Sequence, residues 1–130
     1  MVKRVTVDSS VIISSMLSQE ARHVEACDLW NNVLVGKWFA VVPYSILVEV
    51  VAAIRRRTGS EDLARQTKKE LLSIQSLSFV VLDDASAKKA ADLAAKTGLR
   101  GMDALVVQVA KEYKSELLSF DKEMLEKAKL

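Results

Sequence analysis

Four short runs of β-branched and aromatic residues, separated by stretches of helical patterning, constrain the fold of this chain more than any other feature. The runs are Arg4–Val7, Trp38–Val42, Phe79–Leu82 and Glu116–Ser119, each short and apolar in the way of strands buried on both faces. Helices are expected at Ala21–Lys37, Ser45–Arg57, Glu61–Leu77, Asp84–Thr97, Met102–Tyr113 and Lys122–Leu130. Several boundaries carry their own signals. Pro43 precedes the second helix and Gly59 stops it, Ser60 caps the third, and Gly98 ends the fourth. Helical spacing puts Val24, Cys27, Trp30 and Leu34 on one inner stripe, and Leu63, Leu71, Ile74 and Leu77 on another. Strands joined through helical crossovers pair in parallel. The expected fold is therefore α/β, a parallel sheet with helices on both faces, forming one domain over residues 1–130.

Composition narrows the chemistry. The chain has one Cys and one His, which excludes a disulfide framework, a thiolate cluster and a multi-histidine zinc site. Any catalytic metal must be held mainly by carboxylates, and that selects a hard ion such as Mg²⁺ or Mn²⁺. Nineteen basic and 17 acidic residues leave a net charge of +2, so only local clusters can speak for a polyanionic partner. No apolar run reaches the ~18–20 residues that span a bilayer, and Lys3 and Arg4 lead into a strand rather than a signal peptide. A cytoplasmic location without membrane contact is the default expectation. His23 reads as a surface residue near a helix start and Cys27 as a small core hydrophobe. Trp30 and Trp38 fit either the core or an apolar contact surface for a dimer or a protein partner.

In an open parallel sheet the carboxyl ends of the strands share one edge, where ligands bind. Asp8 directly follows the first strand, in VTVDSSVII, and Asp121 lies two residues beyond the last, in LLSFDKEM. Asp103, in RGMDALVVQVA, opens the helix before that strand, and Glu49, in SILVEVVAAI, lies one turn into the helix after the second strand. All four can face that edge. Singly, each aspartate can simply decorate a helix N-terminus and Glu49 can face solvent. Together they would repel one another and raise their own pKa values, a cost that a divalent ion removes.

The four segments resemble, in order and spacing, the acidic motifs of PIN-domain ribonucleases, and the length is that of the VapC-type toxins of toxin–antitoxin operons. The resemblance implies a three-layer α/β/α sandwich around a parallel sheet of four to five strands. It also implies hydrolysis of RNA phosphodiesters with Mg²⁺ or Mn²⁺, leaving a 5′-phosphate and a 3′-hydroxyl. By the same resemblance Asp8, Glu49, Asp103 and Asp121 are the catalytic, metal-holding carboxylates, and Ser119 matches a hydroxyl position near the last acid. Ser10 departs from the family, which often has Asn there, but a hydroxyl can still orient a water or a phosphate oxygen. Arg55, Arg56 and Arg57, about two turns beyond Glu49, and Arg100, three residues before Asp103, are candidate RNA contacts. Arg55–Arg57 equally suit a helix C-terminus on a wet face. An antitoxin protein and a second copy of the chain are the partners implied.

Other readings fit less well. A haloacid-dehalogenase-like phosphatase needs a second Asp where Ser10 stands, and a response-regulator receiver needs an acidic pair near the first strand. Neither glycine-rich nucleotide loop occurs. The remaining alternative is a catalytically silent PIN-fold module that binds protein or RNA.

Overall fold

Val5, Val7, Ala40 and Val42 are essentially inaccessible to solvent, as strands covered on both faces must be. They belong to β1 (Lys3–Val7) and β2 (Trp38–Pro43), the central pair of a four-stranded sheet completed by β3 (Leu77–Val80) and β4 (Glu116–Leu118). The order is β3-β2-β1-β4 and every pairing is parallel. The computed structural model describes residues 2–130.

Chain direction assigns the helices to layers. The connection from β1 to β2 carries α1 (Ser9–Met16) and α2 (His23–Leu34), and that from β2 to β3 carries α3 (Tyr44–Thr58) and α4 (Glu61–Ser73). Both steps run the same way across the sheet, so right-handed crossovers place these helices on one face. The step from β3 back to β4 reverses direction and puts α5 (Asp84–Thr97) and α6 (Gly101–Glu112) on the other. There α6 packs across β1, β2 and β4 with α5 against it. The short α7 (Lys122–Lys127) follows β4 and buries Met124. This is the α/β/α sandwich expected from the sequence, with four strands. No helix among the described residues is long and apolar enough to cross a membrane.

Boundary chemistry holds where it was explicit. Ser60 accepts a hydrogen bond from the Leu63 amide at the start of α4, and Gly59 and Gly98 end α3 and α5 in the left-handed conformation. Packing corrects the expected stripes. The inner face of α2 is Ala26, Trp30 and Val33, while Val24 and Leu34 are exposed and Cys27 is half-buried. That of α4 is Ala64, Thr67 and Leu71, and Leu63 points outward. Leu77 belongs to β3, which starts two residues earlier than expected, and Val81 and Leu82 lie beyond it on the surface. Trp30 is core, whereas Trp38 is half-buried beneath the Lys3 ammonium. His23 does open α2, but its ring is half-buried and Nδ1 lies 2.7 Å from the Ser14 carbonyl. Cys27 donates to the Ser15 carbonyl from the same packed surface.

Candidate active site

Strand order reverses at β1, whose two neighbours belong to connections of opposite sense, and the crevice beyond the carboxyl ends of β1 and β4 is the switch point of the sheet. Parallel register makes neighbours of the residues that leave it. Val7 pairs with Leu118, and the Asp8 amide extends the ladder to the Leu118 carbonyl at 2.9 Å. Ser119 therefore emerges beside Asp8 and donates its hydroxyl to Asp8 Oδ2 at 3.0 Å. Ser10 donates to the same oxygen at 2.8 Å. Each hydroxyl is itself fixed by an amide: Asp121 N–H donates to Ser119 Oγ at 3.0 Å and Phe120 N–H to Ser10 Oγ at 3.2 Å.

Asp8 thus sits buried at 6 % exposure with one oxygen doubly hydrogen-bonded. Although it precedes α1, its side chain makes no capping bond to that helix. A helix-decorating role does not account for it. Burying a carboxylate is costly unless something compensates the charge, and here two neutral hydroxyls serve Oδ2 alone.

Glu49 and Asp103 are half-buried and line one groove. Burial pushes the Glu49 carboxyl above its ordinary range, and the charges of Asp8 and Asp103 push it further. Asp103 is raised for the same reasons, by burial first and then by Asp8 and Asp121. Arg100 opposes that rise, and Glu123, which the sequence reading did not single out, adds to it. Asp121 stands at the start of α7, where its Oδ1 accepts from the Met124 amide at 3.2 Å. Its capping role is real, and its second oxygen remains for other work. The ion pairs found among the described residues include none of Asp8, Glu49, Asp103 or Asp121. The charges of Asp8 and Asp103 thus act on Glu49, those of Asp8 and Asp121 on Asp103, and Arg100 is the cation that opposes the rise at Asp103. Nevertheless, among the described residues no three His, Cys, Asp or Glu side chains form a ready-made metal cage.

The basic residues divide. Arg100 lines a groove between α5 and α6 together with Glu49 and Asp103. Arg56 and Arg57 line a different groove that also holds Ser10 and Phe120, the residues hydrogen-bonded around Asp8. Arg55 faces elsewhere, into an apolar groove with Val48, Val51, Glu61 and Lys68. The run Arg55–Arg57 is therefore two surfaces, as a helix requires of consecutive residues. Arg22, missed in the sequence, shares the groove of Arg56 and Arg57. A larger groove over β2 and β3, lined by Phe39, Phe79 and Tyr113, has Asp83 as its acidic residue, and that carboxylate caps α5.

Comparison with known proteins agrees with this architecture. The chain is similar in structure to VapC20 of Mycobacterium tuberculosis, a toxin that cleaves the sarcin–ricin loop, with a TM-score of 0.79, 18% identity and coverage of 94% of this chain and 93% of that one. It is similar to a chain of a toxin–antitoxin complex from Klebsiella pneumoniae, with a TM-score of 0.62, 14% identity and coverage of 90% and 86%. A Pyrobaculum aerophilum protein, PAE2754, shares 25% identity at a TM-score of 0.59, over 98% of this chain and 87% of that one. No curated protein matches the chain. The family model described as PIN domain matches residues 5–130, a span that includes Asp8, Glu49, Asp103 and Asp121, and the chain belongs to the PIN domain family.

Proposed function

We propose that this chain is a divalent-metal-dependent endoribonuclease and the toxin of a toxin–antitoxin pair. The observation that carries the reading is the buried Asp8, anchored through one oxygen at the switch point and near enough for its charge to help raise the Glu49 and Asp103 carboxyls. Structural acids are seldom gathered this way without cations, whereas functional sites often hold perturbed groups.

The donor set suits a hard cation. It is all oxygen, it is anionic, and its mutual repulsion is relieved by positive charge. Mg²⁺ and Mn²⁺ sites of this kind use one or two protein carboxylates and leave the remaining positions to water and substrate phosphate, which agrees with the open spread of these acids. Such an ion supplies charge neutralisation of the phosphodiester, an acidified water and stabilisation of the leaving oxygen.

Asp8 and Asp103 are the direct ligands in this reading. Asp121 and Glu49 complete the surroundings through water, or hold a second ion once RNA contributes its own oxygens. Glu49, whose carboxyl is raised above its ordinary range by burial and the neighbouring acids, accepts the proton of the attacking water. In-line attack then leaves a 5′-phosphate and a 3′-hydroxyl. Arg100 contacts RNA from the Asp103 side of the site. The Klebsiella pneumoniae relative comes from a toxin–antitoxin complex, and we extend that association to this chain, with an antitoxin as its protein partner.

The test is direct. Purified protein with labelled single-stranded RNA and Mn²⁺ is expected to give discrete 5′-phosphorylated fragments, and EDTA to stop their formation. A silent PIN-fold module would bind RNA or protein without cutting and would take up no Mn²⁺ by calorimetry. Ser119 provides a finer probe. Ser119→Ala removes one of the two donors to Asp8 Oδ2 and strands the Asp121 amide. A misdirected ligand of this kind is expected to lower kcat by about ten-fold, with little change in KM. Ser119→Thr, which keeps the hydroxyl, should restore most of the rate.

A further inference from the structure

Arg22, just before α2, is fixed from several directions although it lies on the surface. Its guanidinium carbon stands 3.8 Å from the centre of the Phe120 ring. Its Nε and Nη2 donate to the two oxygens of Glu25 at 3.0 and 2.9 Å. The side chain is nonetheless 47% exposed. Exposed arginines ordinarily keep much of their rotamer freedom, because ordering a long side chain offsets what one surface ion pair contributes. Ring and fork together hold this cation, which lies over Phe120 on one side and keeps about half of its side chain open to solvent.

That residue borders a groove of about 490 Å³ shared with Ser10, Glu20, Arg56 and Arg57. Ser10 connects the groove to the acids, since its hydroxyl donates to Asp8 Oδ2 and accepts from the Phe120 amide. Whatever occupies the groove lies next to the acidic crevice.

We propose that this groove is a binding site for the single-stranded RNA flanking the cleaved bond, with one unpaired base stacked on Arg22 and neighbouring phosphates on Arg56 and Arg57. The choice of RNA rests on the ribonuclease reading of the acids. A planar cation supported by an aromatic ring is a stacking surface open to any base, since every base presents a π face. Lysine, a point charge on a flexible stem, cannot replace it. An acidic peptide would satisfy the arginines but would leave the flat face of Arg22 unused. Arg57 already has an internal partner, Glu20, at 3.1 Å. Phosphate must displace that carboxylate, so Glu20 acts as a placeholder that weakens binding.

The experiment measures binding by fluorescence anisotropy in EDTA, with a short labelled single-stranded RNA and a series of twins carrying one abasic nucleotide at each position in turn. Arg22→Lys is expected to weaken binding of the intact RNA by about ten-fold. On one twin, whose missing base is the stacked one, the same substitution should have no further effect. Glu20→Gln is expected to tighten binding by roughly two- to five-fold, since it frees Arg57 from an exposed ion pair. An Arg22→Lys penalty that is absent, or equal on every twin, overturns the proposal. So does failure of the unaltered protein to bind the RNA, or displacement of RNA by a polyglutamate peptide at lower concentration than by unlabelled RNA. Matching thermal unfolding of the variants confirms that the comparison is between folded proteins. Cleavage plays no part in this readout. A protein that cuts RNA but shows no coupling between Arg22 and a base loses this subsite alone, and one that shows the coupling without cutting loses the catalytic reading alone.

Discussion

Asp8→Asn is expected to lower the rate of RNA cleavage by at least about 1,000-fold while the protein stays folded, because under the proposed mechanism it removes a charge that would hold the ion and little else. Asparagine has the shape of aspartate, and its carbonyl oxygen can accept from both Ser10 and Ser119 as Asp8 Oδ2 does. The hydroxyl and amide network around β1 and β4 is therefore preserved. Stability in EDTA should hold, since both hydroxyl donors keep an acceptor. Asp103→Asn is expected to behave alike, its charge being part of the same repulsive set. Asp121→Asn should fall less far, by about 10- to 100-fold, because Asn caps α7 as well as Asp does and the lost charge lies in the outer surroundings. Single-turnover cleavage with Mn²⁺ gives these rates. Full activity in both the Asp8 and Asp103 variants would remove the carboxylate mechanism altogether.

The second large effect is thermodynamic, and its sign depends on the metal. Glu49 and Asp103 have folded-state pKa values above their ordinary ones. Between the unfolded and folded values the native state binds more protons than the unfolded chain, so stability falls as pH rises through that window. In EDTA these two groups accordingly make the protein less stable at pH 7 than it would be with both protonated. Glu49→Gln should melt higher than the parent at pH 7, and the advantage should vanish at pH values below the ordinary range of the carboxylate. Adding Mn²⁺ reverses the order. At a free concentration a hundred times Kd, binding to the native state stabilises the parent by about 2.7 kcal/mol, a rise in Tm on the order of 10 °C. Glu49→Gln should gain less. Thermal unfolding with and without Mn²⁺ at the two pH values decides it, and a parent that gains nothing from Mn²⁺ does not bind the ion at this site.

The legible parts of the sequence were those in which a local rule and the global fold agree. Asp84–Thr97 is a helix to the residue because Asp83 caps it and Gly98 ends it. The strands at Val5 and Val41 follow from short runs of β-branched and aromatic residues. Leu77 misled because it continues the apolar spacing of Leu71 and Ile74, yet the chain has already turned after Ser73. Val24 and Leu34 misled in the same way. Helical periodicity marks an apolar stripe but not which of two nearby stripes meets the core, and small Ala26 was the one that let α2 approach. At the site, the order of the acids along the chain could be read, and parallel pairing then brings their segments to one edge. The hydroxyl anchoring of Asp8 could not, because it depends on a register that pairs Val7 with Leu118, 111 positions further along the chain. Arg22 was equally invisible, since its ring partner Phe120 lies at the far end of the chain.

That same register has a bearing on how the protein fails. The strand that delivers Ser119 and Asp121 spans three residues, none fully buried, at the outer margin of the sheet. Short marginal segments fray at free energies well below that of global unfolding. Peeling β4 from β1 would release Asp8 from one of its donors and carry Asp121 away, while α2, α3 and the β1–β2 pair kept their packing. Mild denaturant should therefore extinguish the proposed RNA cleavage while circular dichroism still reports a native helix content, the activity being lost by a partial opening rather than by collapse of the whole molecule.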